Sequence, residues 1–156
     1  MTRWERWSFG ILSLIVAVTG FVYLYMKYVL ETGDPFAVIN HLWQPTMLHL
    51  HIIASPLLIV VFGLILNSHI LKKLRANSIT NRRTGWISLI TFGGMTLSGY
   101  FLQVVSTQAW ITTMIILHVS FGVIFSISYI THLIISVRVR RPRPRPRPLS
   151  QATEAA

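Results

Sequence analysis

Cysteine is absent from the chain. That excludes disulfides, thiolate-held iron–sulfur clusters and the covalent C-x-x-C-H attachment of c-type haem, so any haem here is bound non-covalently. Acidic residues are scarce as well: Glu5, Glu31, Asp34 and Glu154 are the only four in 156 residues. Charge of either sign is missing from three long stretches, 7–26, 35–71 and 84–137. The charged fraction of 12% is about half that of a soluble domain. No glycine-rich nucleotide fingerprint, flavin motif or extramembrane domain is visible, so the chain is not expected to complete a substrate reaction alone.

The charge-free runs are apolar, and 53% of all residues are hydrophobic. A membrane span needs about 20 such residues. The third run has room for two, broken at Ser106-Thr107-Gln108. The sequence therefore predicts an all-α protein, a four-helix transmembrane bundle with helices at 7–28, 46–71, 85–105 and 111–137. The first run is too long for a signal-peptide core and lacks a small-residue cleavage site, so it is kept as a helix. Residues 1–137 form the membrane domain, and 138–156 form a basic tail expected to be disordered.

Basic residues set the orientation. Thirteen of fourteen lie before the first helix, between the second and third, or after the fourth, and only Lys27 falls on the other side. Both termini are thus expected to be cytoplasmic. The same asymmetry accounts for the net charge of +10 without nucleic acid as a partner. Trp4, Trp7 and Trp86 fall at inner ends, and Trp43 and Trp110 at outer ends, as an interfacial belt requires. The tail alternates arginine with proline from Arg141 to Pro148. Such a run favours extended backbone, and its arginines suit anionic lipid headgroups or a docking partner. Pro45 suits the first turn of helix two. Pro56, inside that helix, is expected to kink it.

Four of the six histidines fall inside spans, where ionisable groups are costly and usually retained for a purpose. His51 and His69 are 18 residues apart, and His118 and His132 are 14 apart. At about 100° per residue, each pair shares one face of its helix. Helices two and four run in the same direction, so His51 meets His118 near the outer surface and His69 meets His132 near the inner. Two facing imidazoles at each level suit two haem irons. Such ligation leaves no open position and favours electron transfer over oxygen chemistry. The two intervals span about 27 Å and 21 Å along straight helices, a mismatch to be absorbed by tilt, by the Pro56 kink, or by a different ligand. His49 is the alternative to His51, but it lies about 160° around the helix from His69. Ser55 and Gly122, each one turn beyond a histidine, would give the low relief that a flat macrocycle needs.

With Thr19-Gly20, Ser98-Gly99-Tyr100 and His118-x-x-x-Gly122, this pattern resembles the four-helix di-haem b-type membrane cytochromes, such as the cytochrome b subunits of formate dehydrogenases and nickel–iron hydrogenases. The 14-residue histidine interval is also similar to that in the cytochrome b of quinol–cytochrome c reductases. The 18-residue interval departs from it. The resemblance covers the four helices but not the tail. It implies a subunit of an oxidoreductase complex in the bacterial inner membrane, carrying electrons between a quinone pool and a periplasmic cytochrome or catalytic subunit.

On this reading Phe92, Met95, Leu97, Phe101, Phe121 and Phe125 exclude water around the haems. Arg82, Arg83 and Arg138 would pair with inner propionates. Outer propionates would rely on His41, Trp43, Gln44, Gln103 or water. Glu31, Asp34 and His41 are the outer candidates for accepting protons from a quinol. The rival is a non-haem membrane protein, either a divalent-metal carrier with His41, His49 and His51 at its outer mouth or a structural subunit of a larger complex.

Overall fold

A computed structural model describes residues 2–34, 36–72 and 82–139; the side chains of His69, Arg82 and residues 137–139 lie outside the description. The tail from 140 and the basic residues at 73 and 75 also lie outside it. The described residues are helical, with α1 at Arg3–Tyr28, α2 at Gln44–Ile65, α3 at Arg82–Phe101 and α4 at Gln108–Val139. There is no strand among them. A π-helical turn, Leu66–Leu71, continues α2.

The ends of the helices have local causes. α1 starts earlier than its apolar run because Thr2 and Glu5 form a capping box: the Glu5 N–H donates to Thr2 Oγ1 at 3.1 Å, and the Thr2 N–H donates to Glu5 Oε2 at 2.7 Å. Such caps are worth about 1 kcal/mol. α2 starts with Pro45 in its first turn, where a missing N–H is harmless. α3 stops at Phe101, four residues before the expected end. There the chain tightens, with Gln103 N–H bonding the Tyr100 carbonyl and Val104 N–H the Phe101 carbonyl. The polar break then leads into α4, whose first turn is closed by Ile111 N–H on the Thr107 carbonyl.

Three helices, α1, α2 with its extension, and α4, are long and apolar enough to cross a membrane, which makes this a multi-pass membrane protein by composition and length. Their outward faces carry large apolar side chains, and all five tryptophans are exposed. These faces suit contact with membrane lipid. α3 is richer in Ser, Thr and Gly, and it buries Thr91 and Ser98. Those hydroxyls are satisfied within their own helix, Thr91 on the Ile87 carbonyl and Ser98 on the Gly94 carbonyl, both at 2.7 Å.

The bundle is two hairpins. α1 packs closely along α2, and α3 along α4. The hairpins meet through rings. Phe62 stacks on Phe92 with centroids 3.8 Å apart, and Phe9 meets Tyr129 edge to face at 5.3 Å. Phe125 closes the layer against Phe92 at 5.4 Å and Tyr129 at 5.8 Å. Phe92 is only 3% exposed, whereas Leu97 on the same helix is 61% exposed. Phe92→Ala is therefore expected to destabilise the bundle by about 3 kcal/mol, with Leu97→Ala within about 0.5 kcal/mol of the parent. Unfolding in detergent followed by circular dichroism checks the contrast.

Candidate functional site

His51 projects from α2 toward α1. Its Nδ1 lies 2.9 Å from the Val16 carbonyl oxygen. A carbonyl can only accept, so Nδ1 carries the proton and donates it. That fixes the tautomer and leaves the Nε2 lone pair available, as metal-ligating histidines are commonly held. Thr19 supports the arrangement. Its hydroxyl bonds the Ile15 carbonyl at 2.7 Å, lies 3.2 Å from the Val16 carbonyl, and stands 3.5 Å from His51 Nδ1. Gly20, next in sequence, is the reason the ring fits. A Cβ built there would lie 2.9 Å from His51 Cε1 and 3.0 Å from Nδ1.

The second hairpin repeats this construction. His118 on α4 places Nδ1 2.9 Å from the Met95 carbonyl of α3. Ser98 stands where Thr19 stood, with its hydroxyl on the Gly94 carbonyl, 3.1 Å from the Met95 carbonyl and 3.4 Å from His118 Nδ1. Gly99 follows, and a Cβ there would meet His118 Cε1 at 2.8 Å. In both arms the accepting carbonyl precedes the hydroxyl residue by three positions, and glycine comes after it.

The two arms bring their rings together. The imidazole centroids of His51 and His118 are 6.0 Å apart, and the ring planes are 89° to one another. Every hydrogen bond that either ring makes runs through Nδ1, and neither Nε2 has a protein hydrogen-bond partner among the described residues. Two metal–nitrogen bonds of about 2.0 Å each fit within the 6.0 Å between the ring centroids. The separation therefore suits one metal ion between two axial imidazoles. Two nitrogens alone are too few for a bare divalent ion, which takes four or more ligands. Among the described residues, no group of three or more His, Asp or Glu could complete such a set. A metal that brings its own four equatorial donors fits the pair.

The other expected residues are placed as follows. His49 is exposed and does not join the pair. Ser55 donates to the His51 carbonyl at 2.6 Å, within its own helix. A Cβ at Gly122 would meet only Met95 Sδ, at 3.7 Å. Leu97 and Phe101 point outward, at 61% and 48% exposure, so they do not line the site. Glu31, Asp34 and His41 are exposed. Asp34 caps a turn through the Phe36 N–H at 2.9 Å, and His41 Nδ1 accepts from the Trp43 N–H at 3.1 Å. Gln44 is buried and holds the Asn40 N–H at 3.0 Å. Trp43 and Gln103 are exposed.

Toward the opposite end, His132 Nδ1 lies 3.2 Å from Thr84 Oγ1. Ser128 donates to the Thr84 carbonyl at 3.2 Å and meets Ser88 at 2.8 Å. His69 sits in the π turn, and its side chain lies outside the described residues, as do those of Arg82 and Arg138. Arg83 is exposed. The π turn adds a residue to one turn, so the regular 100° count that aligned His51 with His69 does not carry through 66–71. It also shortens the rise between them, in the direction that the interval mismatch requires.

Sequence reasoning noticed Thr19-Gly20 and Ser98-Gly99 only as echoes of a family. It did not assign them to the histidines, and it missed the carbonyls of Val16 and Met95 altogether. The available signal was the repetition: a hydroxyl–glycine pair on each odd helix, a histidine on each even one. Comparison with protein-family models, curated proteins and solved structures finds no match.

Proposed function

We propose that this protein carries electrons across a membrane through b-type haem, with His51 and His118 as the residues that would hold an outer group. The observation that supports the reading is the His51–His118 pair, in which two imidazoles from separate hairpins stand 6.0 Å apart with their proton-bearing nitrogens tied to backbone. His51 and His118 would hold the haem, which would supply a reversible one-electron couple there. The protein's part is to hold the imidazoles. Val16 and Met95 fix their tautomers, and Gly20 and Gly99 let α1 and α3 come close enough to do so. The donor set favours this reading over a metal carrier, because a tetrapyrrole needs only the two axial nitrogens that the site offers.

A second haem held by His69 and His132 completes the relay. It rests on the sequence spacing. α3 is then the fourth span: its 20 residues reach about 30 Å, the thickness of the hydrocarbon core. Thr91 and Ser98 turn inward, while Ile87, Ile90 and Leu97 face out. Both termini are then cytoplasmic, a reading that the asymmetry of the basic residues supports, and the membrane is the inner membrane of a bacterium. The donor and acceptor are a quinone pool and a partner redox protein, either a periplasmic cytochrome or the catalytic subunit of a complex.

Sealed phospholipid vesicles test this. Haem-loaded, full-length protein is reconstituted with ferricyanide trapped inside, and a reduced quinol analogue is added outside. Ferricyanide should bleach at a rate proportional to protein. Bleaching no faster than in protein-free vesicles would overturn the proposal.

A further inference from the structure

We infer that the two hydroxyl–glycine arms, Thr19-Gly20 and Ser98-Gly99, are positioning devices that hold the His51 and His118 ring planes perpendicular, and so set the electronic state of an iron bound between them. The inference rests on the proposed function and goes beyond it, because haem binding requires two imidazoles but not a fixed angle between their planes.

Rotation is the freedom that matters. An imidazole attached to a metal through Nε2 can turn about that bond unless something stops it. The Nδ1–H bond lies in the ring plane, so a linear hydrogen bond draws its acceptor into that plane. The Val16 carbonyl, at 2.9 Å, therefore fixes the rotation of His51, and the Met95 carbonyl, also at 2.9 Å, fixes that of His118. The glycines close the other escape. Gly20 and Gly99 sit against the Cε1–Nδ1 edges so tightly that one added carbon would force each ring to move. The arms belong to different hairpins, and they lock the rings 89° apart.

That angle has an electronic consequence. Each axial imidazole π-bonds with the metal d orbital that lies perpendicular to its ring. Parallel rings act on the same orbital and split it from its partner. Perpendicular rings act on one orbital each and leave the two nearly equal in energy. In a low-spin ferric centre this near-equality gives an electron paramagnetic resonance spectrum dominated by one very large g value. Parallel rings give three well-separated lines.

The full-length, haem-loaded protein, oxidised and frozen, is the sample to measure. The outer signal is identified as the one missing from His118→Ala. It should show a single large g maximum. Gly99→Ala, which presses on the His118 edge, should lower that maximum while the optical spectrum stays that of a six-coordinate low-spin haem. Ser98→Ala, which keeps the space and removes only the hydroxyl, should lower it less. Gly63→Ala, where nothing lies within 4 Å, should leave it unchanged. A merely structural role for the arms would reduce thermal stability without moving the g maximum. A three-line spectrum from the outer site, or a g maximum indifferent to both Gly99→Ala and Ser98→Ala, overturns this inference and leaves the haem proposal standing. Absence of haem absorption altogether overturns both.

Discussion

Replacing His118 by alanine is expected to remove the outer haem, lowering reduced b-type absorbance by about half if each bis-histidine site holds one haem. His51→Ala should cause the same loss. The double variant should lose no more than either single one, because both remove the same site and their effects cannot add. An additive loss would place the two histidines in different sites. His49→Ala is the control, since His49 is exposed and takes no part in the pair. Alanine makes either helix more apolar, so membrane insertion should not suffer. Pyridine haemochrome assay against protein concentration gives the stoichiometry.

Gly20→Val and Gly99→Val should have the next largest effect. A Cβ at these positions comes within 2.9 Å and 2.8 Å of an imidazole carbon, and valine adds two methyl groups beyond it. Either the ring leaves its carbonyl or the hairpin opens. Overpacking of this kind costs about 1–3 kcal/mol, and loss of the partners that orient a metal ligand typically costs about 10- to 100-fold in affinity. We expect haem affinity at the outer site to fall within that range in either variant. Gly63→Val and Gly93→Val are the comparison, because a Cβ at Gly63 or Gly93 meets nothing within 4 Å. Titration of haem into apoprotein distinguishes the two classes. Equal losses at all four glycines would mean that glycine serves general helix packing rather than the histidines.

The charge-free runs made the helices legible, because a bilayer demands long apolar segments whatever the packing. The order of the spans made the approach of His51 to His118 legible, since helices two and four run in the same direction and carry the two residues at the same end. What stayed hidden follows from the same physics. In a membrane the outside of a helix is as apolar as the inside, so hydrophobic periodicity does not tell Phe92 from Leu97, one buried and one facing out. The anchors of the site are backbone carbonyls, and every residue type carries a carbonyl. Val16 and Met95 therefore leave no mark in the sequence. The mark is left by their neighbours: the glycines that permit the approach, and the hydroxyls that share the acceptors. The π turn at Leu66–Leu71 was equally invisible to a count that assumes 3.6 residues per turn.

Whether His51 and His118 together hold one haem is decided by the reduced-minus-oxidised absorption spectrum of the purified protein, expressed with haem supplied. A Soret band and sharp b-type bands on reduction are expected, unchanged by carbon monoxide, and diminished equally by His51→Ala and His118→Ala. A protein that inserts and folds but shows no Soret band, or one whose spectrum is indifferent to both substitutions, would contradict the proposal.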